Sequence, residues 1–298
     1  MAFGLNIAAL PAYTDQLSEQ LISTAVLNTN LMEYVDLKAG YTSGSVSLNL
    51  VDADLPVSSF QCNMTPDGEV TYTQTTVTIE DLQSKTSMCS NDLRSVYQSA
   101  YMSPSMANDS IPFEEVLSQQ YVEKLTKYNE GFLINGLGTT LGIKGQITGA
   151  NGATVPAAAA AWTVSNAVSQ ALDLYDAIDE SVINRDDIAI VCSPAAYRTL
   201  VRALVAQNLY HFPSVDGNEI LILPGTNARI IMTSGLVGSN YAFAGPMKMI
   251  TVLTGLIDEM DSFQFFYAPS EDQLLFRAAW RLGVGVAQIN LFATNDLA

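Results

Sequence analysis

SIPFEEVLSQQYVEKLTKYNEGFLIN, residues 110–135, is the stretch of sequence that organises the rest of the chain. Ser110 can cap a first helical turn, Pro112 stands where a missing N–H costs nothing, and Gly136 is a typical residue just past a helix end. Large apolar side chains recur at three- and four-residue steps and therefore share one face: Phe113, Leu117, Tyr121, Leu125, Tyr128 and Phe132. The opposite face is predicted to carry Gln119, Glu123, Lys127 and Glu130.

This pattern predicts one uninterrupted helix, which at 1.5 Å per residue spans roughly 35–40 Å. Few helices of globular domains are as long. We interpret the helix as a strut that several substructures share. The alternative is an ordinary amphipathic core helix.

The charge of the chain is acidic and unevenly distributed. The 298 residues carry a formal net charge of −17. Residues 1–84 hold one basic residue, Lys38, against ten acidic ones, whereas the remainder holds twelve basic against twenty acidic residues. Such acidity argues against a basic groove that grips nucleic acid. It is compatible with an acidic segment that binds a basic patch on another subunit.

No metal site, cofactor site or membrane span is expected. Cys62, Cys89 and Cys192 are widely spaced and His211 is the single histidine, so a zinc site would lack ligands. Each cysteine is interpreted as a small buried apolar residue. Every long apolar run is interrupted, which excludes a transmembrane helix, and the start of the chain lacks the pattern of a signal peptide.

The chain before the long helix divides into two parts. Residues 1–40 are predicted to form an N-terminal arm, with a helix from about Thr14 to Tyr34. Residues 41–80 alternate apolar with polar side chains on both sides of the turn Pro66–Gly68, which predicts an extended β-hairpin loop. Because an isolated two-stranded ribbon is marginal in water, this loop must lie on something. A short helix is predicted at Ser90–Tyr101.

The chain after the long helix begins with a glycine-rich segment, Gly136–Pro156, which supplies turns. Residues 161–260 are predicted to form a compact axial α/β domain, with strands at Asp187–Cys192, Glu219–Leu223, Ala228–Met232, Tyr241–Ala244 and Met249–Leu253. Ser193 and Pro194 open a helix there by the cap-then-proline rule. Residues 261–298 return as strands around a turn at Pro269–Asp272 and join residues 81–160 in a peripheral domain.

In this order of parts the chain resembles the major capsid proteins of tailed bacteriophages with the Hong Kong 97-like fold, of class α+β. The resemblance rests on the order of elements and on loose patterns: Leu141–Gly145, Ser193-Pro194-x-x-Tyr197, Ile220–Gly225, Arg229–Met232, Tyr241–Gly245 and Phe276–Arg281. It implies a structural protein without enzymatic activity or cofactor. Such a protein self-assembles through pentamers and hexamers into an icosahedral shell around double-stranded DNA.

The resemblance also implies partners and a location. A portal, a scaffolding protein and cement proteins are the expected partners, the packaged DNA is met without sequence readout, and the protein is part of the virion after assembly in the host cytoplasm. Because the sequence begins directly with the arm, scaffolding is expected to be a separate protein or absent. Some relatives form lysine–asparagine cross-links from the extended loop. Residues 41–84 contain no lysine, and Lys38 and Lys85 lie at its roots, so no cross-link is expected.

Contacts between subunits are predicted from charge. The acidic residues of the extended loop are expected to lie near basic residues of a neighbouring subunit: Asp52, Asp54, Asp67 and Glu69. The candidate basic partners are Lys124 and Lys127 on the long helix, or Arg277 and Arg281 near the end of the chain. The alternative is that the acidic residues are merely solvated. The loops Asn208–Gly217 and Gly225–Asn227 are expected at the centre of the subunit rings.

Two other functions stay open at this point. An encapsulin-type compartment shares the same fold but encloses cargo enzymes. An enzyme of the α/β class is disfavoured, because the single histidine leaves no obvious base and no ligand cluster is spaced for metal. Ser193 is the conceivable nucleophile of such an enzyme, but capping explains its position before Pro194.

Overall fold

The structure of the chain is a computed structural model, and it describes residues 31–41, 44–53, 59, 70–89, 113–138, 140–209, 221–255, 263–268, 270–271 and 273–297. Residues 1–30, with most of the predicted arm, and 90–112, with the helix predicted at Ser90–Tyr101, lie outside the described residues. The described part has the predicted α+β architecture, with a six-stranded sheet, a four-stranded sheet and a two-stranded hairpin.

In chain order the strands are β1 (Asp36–Lys38), β2 (Gly44–Ala53), β3 (Val70–Cys89), β4 (Gly136–Leu137), β5 (Thr140–Leu141), β6 (Ile188–Cys192), β7 (Arg229–Met232), β8 (Phe243–Pro246), β9 (Ile250–Thr254), β10 (Phe263–Ala268), β11 (Gln273–Val286) and β12 (Ala293–Thr294). The helices are α1 (Phe113–Asn135), α2 (Ile143–Gln146), α3 (Ala167–Asp176) and α4 (Pro194–Ala206). Short 3-10 turns lie at Gly149–Asn151, Ser234–Leu236, Met247–Met249 and Ile289–Leu291.

The large sheet is built on β11. Its strand order is β1-β9-β11-β3-β2, and β10 pairs with β11 as well. β10 and β11 form the antiparallel hairpin that was predicted around Pro269–Asp272. β1 pairs in parallel with β9, so the end of the predicted arm is a strand of this sheet.

Strand β3 exchanges one partner for another in the middle of its length. Residues 80–89 pair with β11, and this pairing ends at Glu80, which lies opposite Leu282. Residues 70–79 pair with β2, and this pairing begins at Ile79, which lies opposite Gly44. We call β2 together with Val70–Ile79 the ribbon. It confirms the predicted two-stranded excursion. β3 is longer than predicted, because its second half is a strand of the large sheet.

The small sheet has the order β12-β8-β6-β7. Every residue of β6 is buried, as its continuous apolar run predicts. Ser193 caps α4 by accepting a hydrogen bond from the Ala196 N–H at 3.2 Å, which confirms the capping interpretation. Two strands pair outside the predicted domain to which they belong. β9 lies in the predicted axial domain but pairs in the large sheet, and β12 lies in the predicted peripheral domain but pairs in the small sheet. The division into domains stays a prediction.

Helix α1 confirms the long helix and contacts both halves of the structure. Tyr121 stacks on Phe276 of the large sheet with ring centroids 3.9 Å apart, and Leu125 and Phe132 are buried. Gly136 ends the helix with φ of +76°, the left-handed conformation that glycine adopts without strain. Because the opposite side of α1 meets the turn Ser234–Leu236 after β7, the helix acts as the predicted strut.

Glu130 lies on the predicted side of α1, opposite the apolar face, but this side is covered there and not open to solvent. Glu130 is only 4% exposed. Its carboxylate accepts hydrogen bonds from the backbone N–H of Ser234 at 2.9 Å and from the Ser234 hydroxyl. The turn approaches closely because Gly235 lacks a side chain: a Cβ there would lie 2.6 Å from the Glu130 carbonyl oxygen. The last turns of α1 are therefore enclosed on both sides.

Two further interpretations need correction. The described part of the helix predicted to end at Tyr34 is a turn at residues 31–34, in which Leu31 is buried in the core of this same chain. Cys89 is exposed at the end of β3, contrary to the buried role expected of each cysteine. Cys192 is buried at the end of β6, and this burial raises the pKa of its thiol to about 12.

Two glycines of β11 make room for the ribbon where it crosses the large sheet. A Cβ on Gly285 would lie 2.1 Å from Val77 Cγ2, and a Cβ on Gly283 would lie 2.8 Å from the carbonyl oxygen of Thr78. The ribbon therefore passes over the face of β11 in direct contact with its backbone.

We expect Gly285→Ala to destabilise the isolated chain by about 1–3 kcal/mol, because the added methyl group has no space beneath Val77. Combining it with Val77→Ala should cost less than the sum of the two single substitutions. Denaturant unfolding measures both effects. Gly131→Ala is the control: nothing lies within 4 Å of its Cβ, so this substitution in α1 should be neutral or stabilising. A strictly additive double variant would contradict the contact.

Asp187 fastens the start of β6 to neighbouring segments. Its carboxylate accepts two hydrogen bonds from the Arg185 guanidinium, at 2.8 and 2.9 Å, and one from the Lys248 N–H at 3.3 Å. Burial alone would raise the pKa of Asp187, but the hydrogen bonds and the charge of Arg185 outweigh burial and hold this pKa below its usual range.

Because the pKa of Asp187 is lower in the folded chain than in the unfolded chain, the carboxylate contributes stability above its ordinary pKa of 3.8, and this contribution is lost as pH falls through the folded pKa. We expect Asp187→Asn to cost about 1 kcal/mol at neutral pH, since Arg185 is partly exposed. The difference from the wild type should shrink in acid. Denaturant unfolding across pH, with the exposed neighbour Asp186→Asn as control, measures this. A difference independent of pH would contradict the assignment.

Candidate subunit interface

The root of the ribbon is held on the chain's own sheet. Val77 and Ile79 are buried and form a small core cluster with Leu253 of β9, against which Val46 and Leu48 of β2 pack in part. The alternation of apolar side chains in β2 that predicted the strand therefore has a structural role at the root. This part of the ribbon needs no second subunit.

The outer part of the ribbon is not covered by any described residue of its own chain. Tyr72 is 77% exposed and Val70 is 48% exposed, although both are large apolar side chains. The two strands are joined there by a side-chain hydrogen bond from Gln74 to Asn49 at 3.1 Å. Tyr72 and Val70 are two residues apart in one strand and therefore share a face of the ribbon.

The predicted acidic contacts lie at or beyond this outer part. Asp52 belongs to β2 and lies opposite Thr71, and its side chain is outside the described residues. Asp54, Asp67 and Glu69 lie wholly outside them. β3 is one continuous strand, so Val70 lies fifteen residues from Lys85, a contour length of about 50 Å at 3.3 Å per residue. The outer end of the ribbon and Lys85 thus lie toward opposite ends of the same strand.

The four predicted basic residues lie on opposite faces of the large sheet. Phe276 and Trp280 face α1, because Tyr121 stacks on Phe276 and Trp280 Nε1 donates to the Asn129 side chain at 3.0 Å. Successive side chains of a strand point to opposite faces, so Arg277 and Arg281 lie on the face away from α1. Lys124 and Lys127 are exposed on α1. A single partner segment cannot contact both pairs.

The face away from α1 carries a pair of like charges. Arg277 lies directly opposite Lys85 in the register of β11 and β3, and both side chains are exposed. Like charges opposite each other on neighbouring strands are destabilising. The next charged pair along the strands is compensated, because Arg281 Nε contacts Asp81 Oδ1 at 2.6 Å. Lys85 was not singled out as a contact residue from the sequence, since only the strand register shows what it faces.

A shallow groove lies at the Arg281–Asp81 pair. It has a volume of about 320 Å³ and is lined by Asp81, Leu82, Gln83, Ala279, Trp280 and Arg281. The ribbon root covers this face of the sheet further along β11, at Gly283 and Gly285, whereas no described residue covers the groove. Near this groove lie Lys85 and Arg277, two cations that form no ion pair with a described acidic residue.

The described residues contain no group of three or more His, Cys, Asp or Glu side chains that could hold a metal ion. Ser193 is 2% exposed and its hydroxyl is occupied as a helix cap. Among the described helices, none is long and apolar enough to cross a membrane.

Comparison with solved structures gives the fold, whereas the sequence comparisons find neither a matching family model nor a matching curated protein. The capsid of a native GTA particle superposes with a TM-score of 0.57 and 14% identity, over 91% of this chain and 89% of that chain. The satellite phage P4 procapsid gives 0.57 and 8% identity, over 93% and 89%. The SrpI encapsulin of Synechococcus elongatus gives 0.55 and 11% identity, over 90% and 87%.

Each of these similarities covers at least 90% of this chain. The chain therefore has the Hong Kong 97-like fold that its sequence predicts.

Proposed function

We propose that this chain is the subunit of a closed protein shell, the major capsid protein of a tailed phage, which self-assembles around double-stranded DNA. The observation that carries the proposal is the ribbon, whose root is fixed on its own sheet and whose outer half is left uncovered by the described residues. The fold shared with phage and encapsulin shells supports it. The protein then belongs to the virion and is assembled in the host cytoplasm.

Assembly follows from what one subunit leaves uncovered. Exposed Tyr72 and Val70 and the like-charged pair Lys85–Arg277 are each stabilised by a neighbouring subunit. Contacts between subunits of obligate assemblies commonly bury on the order of 2,000–5,000 Å². Rings of five and six subunits close such contacts into a shell. The proposed role of the protein is structural, without enzymatic activity. Portal, separate scaffolding and cement proteins are the proposed additional partners.

The acidic end of the ribbon is proposed to bind the Lys85–Arg277 pair of a neighbour. Asp52, Asp54, Asp67 and Glu69 supply negative charge in a part of the chain that has no basic residue, and the pair supplies two positive charges that form no ion pair with a described acidic residue. Lys85 and the outer end of the subunit's own ribbon lie toward opposite ends of β3, so the proposed partner is a second copy. Arg281 is already engaged by Asp81.

The shell is proposed to be held without covalent cross-links. The described ribbon contains no lysine, Lys38 pairs with Asp36 in β1 at 3.4 Å, and Lys85 lies in the large sheet. Boiling purified shells in detergent should therefore release single chains.

An encapsulin-type compartment is the second candidate function, favoured by the similarity to the SrpI encapsulin complex. The two functions differ in what the shell contains. A phage capsid encloses duplex DNA and an encapsulin encloses a protein cargo.

We expect the purified protein to form closed shells in electron micrographs, with nuclease-resistant duplex DNA inside particles isolated from the native source. The physical reason is that dilute subunits expose the outer ribbon to water. Protein cargo without DNA would select the encapsulin function. A stable monomer at high concentration would contradict both.

We expect Arg277→Glu to stabilise the unassembled subunit by about 0.5 kcal/mol, because Lys85 then faces an opposite charge. The same substitution should impair shell formation, since it inverts the proposed contact, and the effect should be weaker in high salt. Arg202→Glu, an equal change of charge on exposed α4, is the control. Light scattering during assembly and denaturant unfolding measure the two effects. Normal assembly of the Arg277 variant would contradict the contact.

Lys124 and Lys127 on α1 form the competing basic surface, and their double replacement by glutamate tests it. With the contact at Lys85–Arg277, this variant should assemble as the wild type does in high and low salt. If this variant fails to assemble while the Arg277 variant assembles, the ribbon contact lies on the α1 side of the sheet instead.

A further inference from the structure

The side chain of Gln146 takes the place of a β-strand at the edge of β11. Its Nε2 donates a hydrogen bond to the Val284 carbonyl oxygen at 3.0 Å, and its Oε1 accepts one from the Val286 N–H at 3.0 Å. An amide side chain that binds one C=O and one N–H of the same strand reproduces the hydrogen bonds of a strand partner. Gln146 is the last residue of α2 and is half-buried.

The edge that Gln146 occupies is the one along which β3 would continue. In an antiparallel pair, successive residues direct their backbone groups to alternate sides. Ala287 donates toward β9, to the Met249 carbonyl oxygen at 3.1 Å, so Val284 and Val286 direct theirs to the opposite edge. Continuing the register past Glu80 and Leu282 would pair residues 283–286 with residues 79–76. Gln146 fills that position instead.

The segment around Gln146 also contacts Glu80, the last residue of β3 that pairs with β11. Gln146 Nε2 also donates to the Leu141 carbonyl oxygen at 2.7 Å, and this contact joins α2 to the β4–β5 hairpin. Thr140 of that hairpin donates through its hydroxyl to Glu80 Oε1 at 2.5 Å. One short stretch of chain therefore binds both the final residue of the β3–β11 pairing and the strand edge just beyond it.

We propose that Gln146 is a positioning residue that determines where the ribbon leaves the large sheet and hence the direction in which it reaches a neighbouring subunit. Without Gln146, the edge of β11 is an open template for continued pairing with β3, as an unpaired strand edge generally is. Pairing that continues would draw the ribbon root off the sheet face, where Val77 and Ile79 pack on Leu253. The consequence for assembly rests on the proposed shell function.

The ribbon amplifies a small change at this point. Its ten residues from Ile79 to Val70 extend about 33 Å, so a change of about 10° in direction displaces the far end by about 6 Å. A displacement of that size separates charged groups beyond the range of a direct ion pair. The curvature between neighbouring subunits therefore depends on the two hydrogen bonds to Val284 and Val286.

The test compares Gln146→Leu with Gln170→Leu. Gln170 is an equivalent glutamine elsewhere: its side chain donates to the Ala158 carbonyl oxygen at 2.9 Å and accepts from the Ala160 N–H at 2.7 Å, and it is 8% exposed. Both substitutions remove a side-chain amide that donates to one backbone carbonyl and accepts from one backbone N–H. Of the two sites, Gln146 is the one at the ribbon. Gln146→Glu, which keeps the acceptor for Val286 and loses both donors, is the second variant if Gln146→Leu does not fold.

Two measurements separate positioning from general destabilisation. Hydrogen exchange on unassembled subunits should show roughly fivefold to tenfold faster exchange of the Val286 amide in the Gln146 variant, and altered protection of residues 76–79. Electron microscopy should show loss of the single shell diameter. The Gln170 variant should keep the wild-type exchange pattern at these residues and the wild-type diameter.

Wild-type exchange at residues 76–79 and an unchanged diameter in the Gln146 variant would overturn the inference. Equal effects of both substitutions would also overturn it, and so would failure of both Gln146 variants to fold beside a folded Gln170 variant. If the wild type itself forms no shells, the proposed function fails, whereas the exchange measurement still tests the departure point of the ribbon.

Discussion

A β-strand has two edges that can pair with other strands. The two halves of β3 pair along opposite edges, each with a different strand. Up to Glu80 the strand is bound to β11, and from Ile79 onward it is bound to β2. Each half of β3 has one partner strand, so the strand stays continuous through the change of partner. The constraint falls on β11, whose edge beyond Leu282 loses its partner. The glycines at 283 and 285 and the amide of Gln146 are the residues with which the chain meets that constraint.

Helix α1 gives this departure a rigid background. One end stacks on the large sheet through Tyr121 and Phe276, and the other is held by Glu130 against the turn at Ser234. The hairpin that contacts Glu80 follows directly on the glycine that ends α1. The helix therefore connects the ribbon root to the small sheet through buried contacts. Buried contacts of this density transmit displacement with little loss.

The parts that were predictable from the sequence are those determined by neighbouring residues. The period of α1, the apolar run of β6 and the cap at Ser193 are local patterns, and each is confirmed. The burial of Glu130 was not predictable from its neighbours, because its partner Ser234 lies more than a hundred residues away in sequence. The sequence also did not predict that β9 belongs to the large sheet, because strand pairing is decided between distant segments.

The candidate interface shows the same limit more sharply. The sequence alone indicated Arg277, as a basic residue in an acidic chain. Lys85 became a candidate only through the strand register, which places it opposite Arg277. The register also separates Arg277 from Lys124 by a whole sheet. Charge counting along the chain identified which kinds of residue could meet, and the pleat of β11 decided which of them share a face.

Leaving two like charges opposite each other costs the isolated subunit stability that an ordinary globular protein would retain. The same chain keeps basic residues out of its ribbon, so the ribbon of one copy repels the acidic surface of most of another copy. In the proposed contact, the basic pair Lys85 and Arg277 reverses this repulsion. An arrangement that is unfavourable in each separated part and favourable in the contact directs association to one orientation, which is what a shell built from a single sequence requires.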